Sequence, residues 1–160
     1  MRPAPRHPLD PRAVSFWRLQ GLVRTALLGA FGALSLAGAI VMSPAGPLFL
    51  LALVACVGLY GLFALLIAPA WRYRVWRYDV SEHELELQHG LFVVSRTLIP
   101  LVRVQHVDTR QGPLLKYFSL STVTVSTAAG THEIPALSDE VADQLRDHIS
   151  ALAQRARESL

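Results

Sequence analysis

The sequence has no charged side chain over 47 consecutive residues, from Thr25 to Trp71. Surface helices of soluble domains carry charged residues on their outer face, so an uncharged stretch of this length is atypical of them. A helix rises 1.5 Å per residue and crosses the roughly 30 Å hydrocarbon core of a bilayer with about 20 residues. The stretch is therefore long enough for two membrane-spanning helices.

Turn-forming residues divide the uncharged stretch near its middle. The segment Ser43-Pro44-Ala45-Gly46-Pro47 contains two prolines and a glycine, which interrupt a continuous helix. The sequence thus predicts a transmembrane hairpin at 25–70, with spans at 25–42 and 48–68. A cleaved signal peptide would have a shorter apolar core and would leave the second segment unexplained. A hairpin buried in a soluble protein would need surrounding helices, which the rest of the sequence does not indicate.

Positive charge flanks the hairpin on both sides and is absent from its turn. The basic segment 1–24 contains five arginines against Asp10 alone, and three more arginines follow the second span. Because Lys and Arg near span ends are retained in the cytoplasm, both termini are expected on the cytoplasmic side of the inner (plasma) membrane. Basic and aromatic side chains after the second span are expected to anchor it at the lipid headgroups: Trp71, Arg72, Tyr73, Arg74, Trp76 and Arg77.

Cysteine is almost absent, and acidic residues are rare in the first half of the chain. Cys56, the single cysteine, lies within the second span, which excludes an internal disulfide and a cysteine-based metal cluster. Residues 79–160 carry seven Lys or Arg against eleven Asp or Glu. The basic pI of about 9.5 therefore comes from the segments that flank the membrane and does not indicate nucleic-acid binding.

From Arg74 onward the hydrophobic period changes from helical to alternating. Successive β-prone runs begin near Tyr73, Glu84, Leu91, Val102, Thr122 and Thr131. Ser138 then has the position of a helix N-cap, followed by an apolar stripe of Val141, Leu145, Ile149 and Leu152. The pattern predicts an α+β domain over 71–157, with six or seven antiparallel strands and a C-terminal helix that caps them.

Several strings in this region carry a family resemblance. They are Ile99-Pro100-Leu101-Val102-Arg103-Val104-Gln105-His106-Val107-Asp108, then Gln111-Gly112-Pro113-Leu114, the β-branched run 120–128, and Ile134-Pro135-Ala136-Leu137. In this order they resemble the bacterial pleckstrin-homology-like (PH-like) domain of YdbS-like membrane proteins. Lys116 also fits the family pattern, whereas Ser119 stands where the family usually has glycine before leucine. The resemblance implies a PH-like antiparallel barrel or sandwich, and it implies a fold more than an activity.

Four polar residues of the first string are candidates for an interaction surface: Arg103, Gln105, His106 and Asp108. On a strand, His106 and Asp108 would share a face, where a carboxylate can orient an imidazole. However, no nucleophile or third ligand stands at a recognisable spacing, and the sequence has neither an H-E-x-x-H motif nor a phosphate-binding glycine loop. The four residues therefore either fix a strand and its following loop or bind a ligand or partner.

The sequence predicts a non-enzymatic integral membrane protein without a cofactor, whose cytoplasmic PH-like domain mediates protein contacts or self-association. Its expected partners are the lipid bilayer and a membrane protein, which the resemblance suggests is a related PH-like protein. The resemblance also suggests a role in cell-envelope stress or protection. The alternative is a protein that binds or modifies a lipid headgroup through Arg103, His106 and Asp108. The acidic loop Ser81-Glu82-His83-Glu84 would repel a polyphosphorylated headgroup.

Overall fold

A computed structural model describes residues 5–42, 45–91 and 93–158, which form two compact units. The helical unit consists of residues 17–70, and the sheet unit combines the described parts of 1–16 and 71–160. Both β-sheets lie in the sheet unit, together with the C-terminal helix.

Two long apolar helices supply the helical unit. They are α1 (Arg12–Met42) and α2 (Gly46–Leu62), and α2 continues through a π-helical turn (Phe63–Ile67) into α3 (Ala68–Val75). In the π-helical turn, Ala68 N–H donates to the carbonyl of Phe63. The next residue is Pro69, whose missing amide hydrogen accounts for the wider turn at this point. Ser43 and Pro44 of the predicted turn lie outside the described residues.

The apolar side chains of these helices are largely exposed. In the two candidate spans, Arg12–Ala37 and Gly46–Val75, only 6% of the most apolar part is buried. A hairpin in the core of a soluble protein would be mostly buried, so this exposure favours a lipid environment. The hydroxyl of Thr25 donates to the Gly21 carbonyl at 2.8 Å, so this polar group needs no water.

Glycine allows the two helices to approach closely. A Cβ atom at Gly21 would lie 2.9 Å from the Ala64 carbonyl oxygen, and one at Gly61 would lie 2.9 Å from Cγ2 of Thr25. The two pairs run in opposite directions along the chain, so the helices pack antiparallel. Close packing at small residues is typical of transmembrane helices.

Two antiparallel sheets form the sheet unit. The first has the order β1-β2-β3-β4, with β1 at His7–Pro8, β2 at Arg77–Val80, β3 at Glu84–Gly90 and β4 at Val94–Pro100. The second has the order β5-β6-β7, with β5 at Val104–Arg110, β6 at Leu120–Thr127 and β7 at Gly130–Ser138. A 3-10 turn (Leu101–Arg103) joins the sheets, and α4 (Pro113–Tyr117) connects β5 to β6. The predicted α+β class with an antiparallel sheet is confirmed.

The C-terminal helix α5 (Asp139–Glu158) closes the sheet unit. Its first turn is capped as predicted, because the Ser138 hydroxyl accepts from the Val141 N–H at 3.4 Å. Leu145 and Ile149 of the predicted stripe are buried, and Leu152 is half-buried. Val141 is 39% exposed, and the buried positions of the helix also include Ala142 and Ala153. The predicted stripe was therefore wrong at Val141, because the buried face of the helix begins at Ala142.

Residues before the first span also contribute to the sheet unit. His7 of β1 pairs with Tyr78 of β2, and Leu9 is buried. The Asp10 carboxylate accepts from the amide of Arg12 at 2.8 Å and from its guanidinium at 3.0 Å. This cap begins α1 at Arg12, well before Thr25, where the first span was predicted to start.

Candidate interaction surface

Arg103, the first of the predicted site residues, lies in the 3-10 turn that joins the two sheets. Leu101 and Val104 are buried at its two ends, and Leu101 N–H donates to the His83 carbonyl at 2.9 Å. Between these anchors, Val102 and Arg103 are exposed. Arg103 is therefore presented to the surface by a turn that is fixed on both sides.

Strand β5, which carries the other predicted residues, is an outer strand of its sheet. Val104 pairs with Thr127 and His106 with Ser126, so Gln105 is an extra residue in a bulge. Gln105 and His106 are both exposed. An outer strand presents backbone donors and acceptors with which an added strand can pair.

His106 and Asp108 lie on the same face of β5, as the two-residue spacing predicted. The imidazole Nε2 and a carboxylate oxygen are 3.6 Å apart, which is longer than a hydrogen bond. Their side chains are 62% and 51% exposed. Such a pair in water contributes little to stability and does not hold the imidazole in one orientation.

A first groove of about 680 Å³ lies between β4 and β5. Most of its lining is apolar, and the apolar residues are Leu98, Ile99, Pro100, Val102, Val104, Ala128 and Ala129. Arg103 and Arg157 add positive charge, and the described lining contains no Asp or Glu. The groove therefore suits an apolar group that carries a negative charge, and its volume falls in the range of ordinary ligand sites.

A second groove of about 550 Å³ lies between β5 and the last turns of α5. Gln105 and His106 line it from the strand, while Ser150, Gln154 and Arg157 line it from the helix. This lining is more polar than that of the first groove. Because the groove follows the outer edge of β5, it has space for a segment that pairs with the strand.

Arg157 lines both grooves and was not predicted as a site residue. Its Nε donates to the Ala153 carbonyl at 3.3 Å, which holds the side chain along the helix. In the sequence, Arg157 is one of two arginines in the last turn, where a cation is expected for the helix dipole alone. No local pattern distinguishes it from Arg155, because its position beside β5 depends on the packing of the whole helix.

The second string of the family resemblance has a structural role. Gln111 Nε2 donates to the Asp139 carboxylate at 2.9 Å and to the Leu120 carbonyl at 3.1 Å. The buried Ser121 hydroxyl donates to the same carboxylate at 2.6 Å. These bonds connect the end of β5, the start of β6 and the first turn of α5. Gln111 therefore supports the interaction surface without belonging to it.

The predicted membrane anchors differ in their surroundings. Trp71, Arg72 and Arg74 are exposed, and Tyr73 is half-buried. Arg77 is half-buried and donates to the Trp76 carbonyl at 3.0 Å. 

Trp76 is only 5% exposed, and its ring centroid lies 5.9 Å from that of His89. It is therefore a core side chain of the sheet unit. Contact with headgroups stays a prediction for the exposed members of the set.

Metal binding has no support among the described residues. No group of three or more His, Cys, Asp or Glu side chains in that part of the chain is placed to hold an ion. Gln105, His106 and Arg103 are brought together around the two grooves, and Asp108 lies farther along β5. These three side chains around the grooves form the candidate interaction surface.

Two antiparallel sheets closed by a C-terminal helix, together with two lipid-suited helices, define a membrane-anchored PH-like protein. A family model described as "Bacterial PH domain" matches residues 25–153. The chain belongs to this family.

Among its relatives is the UPF0699 transmembrane protein YdbS of Bacillus subtilis (strain 168). It is 45% identical over 157 residues, which cover 96% of each chain. The UPF0699 transmembrane protein YdbT of the same organism is 26% identical over 114 residues, or 64% of this chain and 23% of that protein. No solved structure matches. The similarity to YdbS and the two exposed apolar helices identify the chain as a transmembrane protein of the family.

Proposed function

We propose that this protein is a non-enzymatic protein of the inner (plasma) membrane whose PH-like unit binds another protein on the cytoplasmic side. The observation that carries the proposal is the exposed outer edge of β5 between two grooves. An added strand pairs with such an edge through its backbone, and its side chains enter the grooves beside the edge. Backbone pairing supplies affinity, and the grooves supply specificity.

The composition of the grooves indicates the chemistry of the partner segment. The first groove is mainly apolar with Arg103 and Arg157, so it favours a segment with apolar side chains and an acidic group. The second groove adds the polar side chains of Gln105 and Gln154. The second groove also contains the carboxylate of Glu158, so the acidic residue of the partner strand belongs in the first groove and polar residues belong in the second.

The partner we propose is itself a membrane protein, either a second copy of this chain or a related PH-like protein. Two membrane spans would confine both partners to one surface, which raises their effective concentration and makes a modest interface sufficient. A role in cell-envelope stress or protection is the setting that the family resemblance suggests for this contact.

In-cell photocrosslinking tests the proposal directly. A photoreactive residue in place of Gln105, in the bulge of β5, is expected to trap a protein partner whose mass distinguishes a second copy from another protein. The matched control is Glu133, an exposed residue on β7, the other outer strand of the same sheet. A product at position 105 and none at 133 supports the proposal. No protein product at 105, or equal products at both positions, contradicts it.

A lipid headgroup at the same surface is the second candidate, favoured by the positive charge of Arg103 and Arg157 beside an apolar groove. Arg103→Gln separates the candidates, because the exposed guanidinium supplies charge that an anionic headgroup requires. Loss of phosphatidylglycerol binding by this variant, with an unchanged melting temperature and with crosslinking at 105 intact, would favour the headgroup.

A further inference from the structure

The tip between β3 and β4 exposes apolar side chains on the sheet unit. Val93 is 77% exposed and Val94 is 53% exposed, and Leu91 is half-buried. Gly90 begins the tip with a φ of 143°, and a Cβ atom there would overlap the carbonyl oxygen of Val93. Gly90 is therefore required at the start of the tip, both by its backbone conformation and by the close approach of Val93. Adjacent exposed apolar side chains form a patch of the kind that often marks an interaction site.

The register of the first sheet places this tip beside the end of α3. Arg77, the first residue of β2, pairs with Gln88, and β3 then continues to Gly90 opposite Val94. The tip thus extends past the point at which the chain enters the sheet. At about 3.3 Å per residue, the two further positions add roughly 7 Å before the turn itself.

Direct contacts hold the strand that leads to the tip against the last residues of the helix. The Gln88 side-chain amide donates to the Val75 carbonyl at 3.1 Å. The ring of His89 lies 5.9 Å from the ring of the buried Trp76. Val75 is also the last residue of the candidate span Gly46–Val75. The strand that leads to the tip therefore contacts the residues with which the candidate span ends.

We propose that the β3–β4 tip is a third membrane attachment, in which Leu91, Val93 and Val94 enter the boundary between headgroups and acyl chains. Three features favour lipid over a protein as the occupant. The tip is apolar, the strand that leads to it contacts the end of a candidate span, and the exposed Arg72 and Arg74 precede it on α3, where they suit anionic headgroups. The headgroup layer is roughly 5 to 8 Å thick on each side, which matches the reach of the tip. This attachment is independent of the proposed partner site on β5.

Spin labelling of the full-length protein in vesicles of phosphatidylethanolamine and phosphatidylglycerol tests the attachment. In a Cys56→Ala background, one variant carries Val93→Cys with a nitroxide label, and the matched control carries Val141→Cys. Val141 is an exposed valine that lines a separate groove with Val80, at the far end of β2 from the tip. Power saturation compares relaxation by oxygen, which concentrates in lipid, with relaxation by a water-soluble nickel complex.

The proposal expects oxygen to relax the label at 93 more strongly than nickel does, with the reverse order at 141. A label at Val94 should give the same order as the label at 93. Equal nickel access at 93 and 141 would overturn the attachment. Protection of position 93 from both reagents would also overturn it, because a protein would then cover the tip.

Discussion

At the scale of single residues, Ser119 stands where the family resemblance implies glycine, and its backbone conformation is one that favours glycine. Its φ is 52°, in the left-handed region that residues with a Cβ atom adopt at a cost. Its N–H donates to the Lys116 carbonyl at 3.0 Å, so the conformation ends α4 and turns the chain into β6. The glycine that the family usually has at this position adopts the same conformation without strain. Ser119 therefore holds this turn at a higher conformational energy than glycine would.

Ser119→Gly should stabilise the protein by about 0.5 to 1 kcal/mol, because it relieves left-handed strain in the folded state. Chemical denaturation of the purified protein in detergent measures the change. The control is Ser126→Gly within strand β6, which should destabilise, since glycine weakens a strand. A loss of stability in Ser119→Gly would show that the serine is not strained.

The charge of Asp10 makes the stability of the protein depend on pH. Partial burial tends to raise the pKa of Asp10, but the hydrogen bonds and charge of Arg12 outweigh it, so the net pKa lies below the ordinary 3.8. A carboxyl with a lowered folded pKa contributes stability that is fully present above 3.8 and is lost as pH falls through the folded pKa.

Asp10→Asn should therefore reduce stability by up to about 1 kcal/mol at neutral pH, through loss of a partly exposed ion pair and part of a helix cap. Thermal melts across pH measure the effect. The difference from the unmodified protein should shrink as the pH falls from 3.8 through the lower folded pKa of Asp10, because the wild-type carboxyl then becomes protonated in the folded state as well. A difference that stays constant down to the lowest pH would contradict the role given to the Asp10 charge.

At the scale of elements, hydrophobic periodicity predicted those strands whose two faces differ in burial. In β3, Leu85 and Leu87 are buried while their neighbours are more exposed, and the alternation is visible in the sequence. The start of β2 was predicted too early, at Tyr73, because aromatic and β-branched residues there favour a strand. In the structure the helix continues to Val75, since it extends the preceding apolar helix without a break.

Elements that are too short to show a hydrophobic periodicity could not be predicted from the sequence. Strand β1 has two residues, one of them proline, and exists only because it pairs with β2. Helix α4 has five residues, too few to show a helical repeat. The same limit applies to the interaction surface. The exposure of Gln105 and His106 follows from the polar string on β5, whereas the grooves arise from the packing of β4, β5 and α5.

Two glycines of α2 test how the helices of the hairpin pack, because a substitution at Gly58 serves as the control for one at Gly61. Gly61→Leu places a side chain where Thr25 already lies, and overpacking of this kind costs about 1 to 3 kcal/mol. Gly58→Leu on the same helix should be tolerated, because no described atom lies within 4 Å of a Cβ atom there. Unfolding of each variant by titration with dodecyl sulfate measures the difference. Equal effects of the two substitutions would show that the helices do not pack through Gly61.

At the scale of the whole molecule, the apolar helices determine where the other features act. The sheet unit takes part of its edge from residues before the first span, and its chain continues directly from α3 into β2. Neither connection includes a long linker. The proposed binding edge on β5 would thus meet only partners that are present at the same membrane surface.

Cysteine accessibility in intact cells tests most directly whether a two-span hairpin holds the PH-like unit on the cytoplasmic side of the membrane. In a Cys56→Ala background, Pro47→Cys marks the start of α2, next to the turn between the spans, and Ser150→Cys marks α5, both at exposed positions. An impermeant maleimide should label position 47 on intact cells and position 150 only after the cells are lysed. Labelling of position 150 on intact cells, with position 47 protected, would contradict the account.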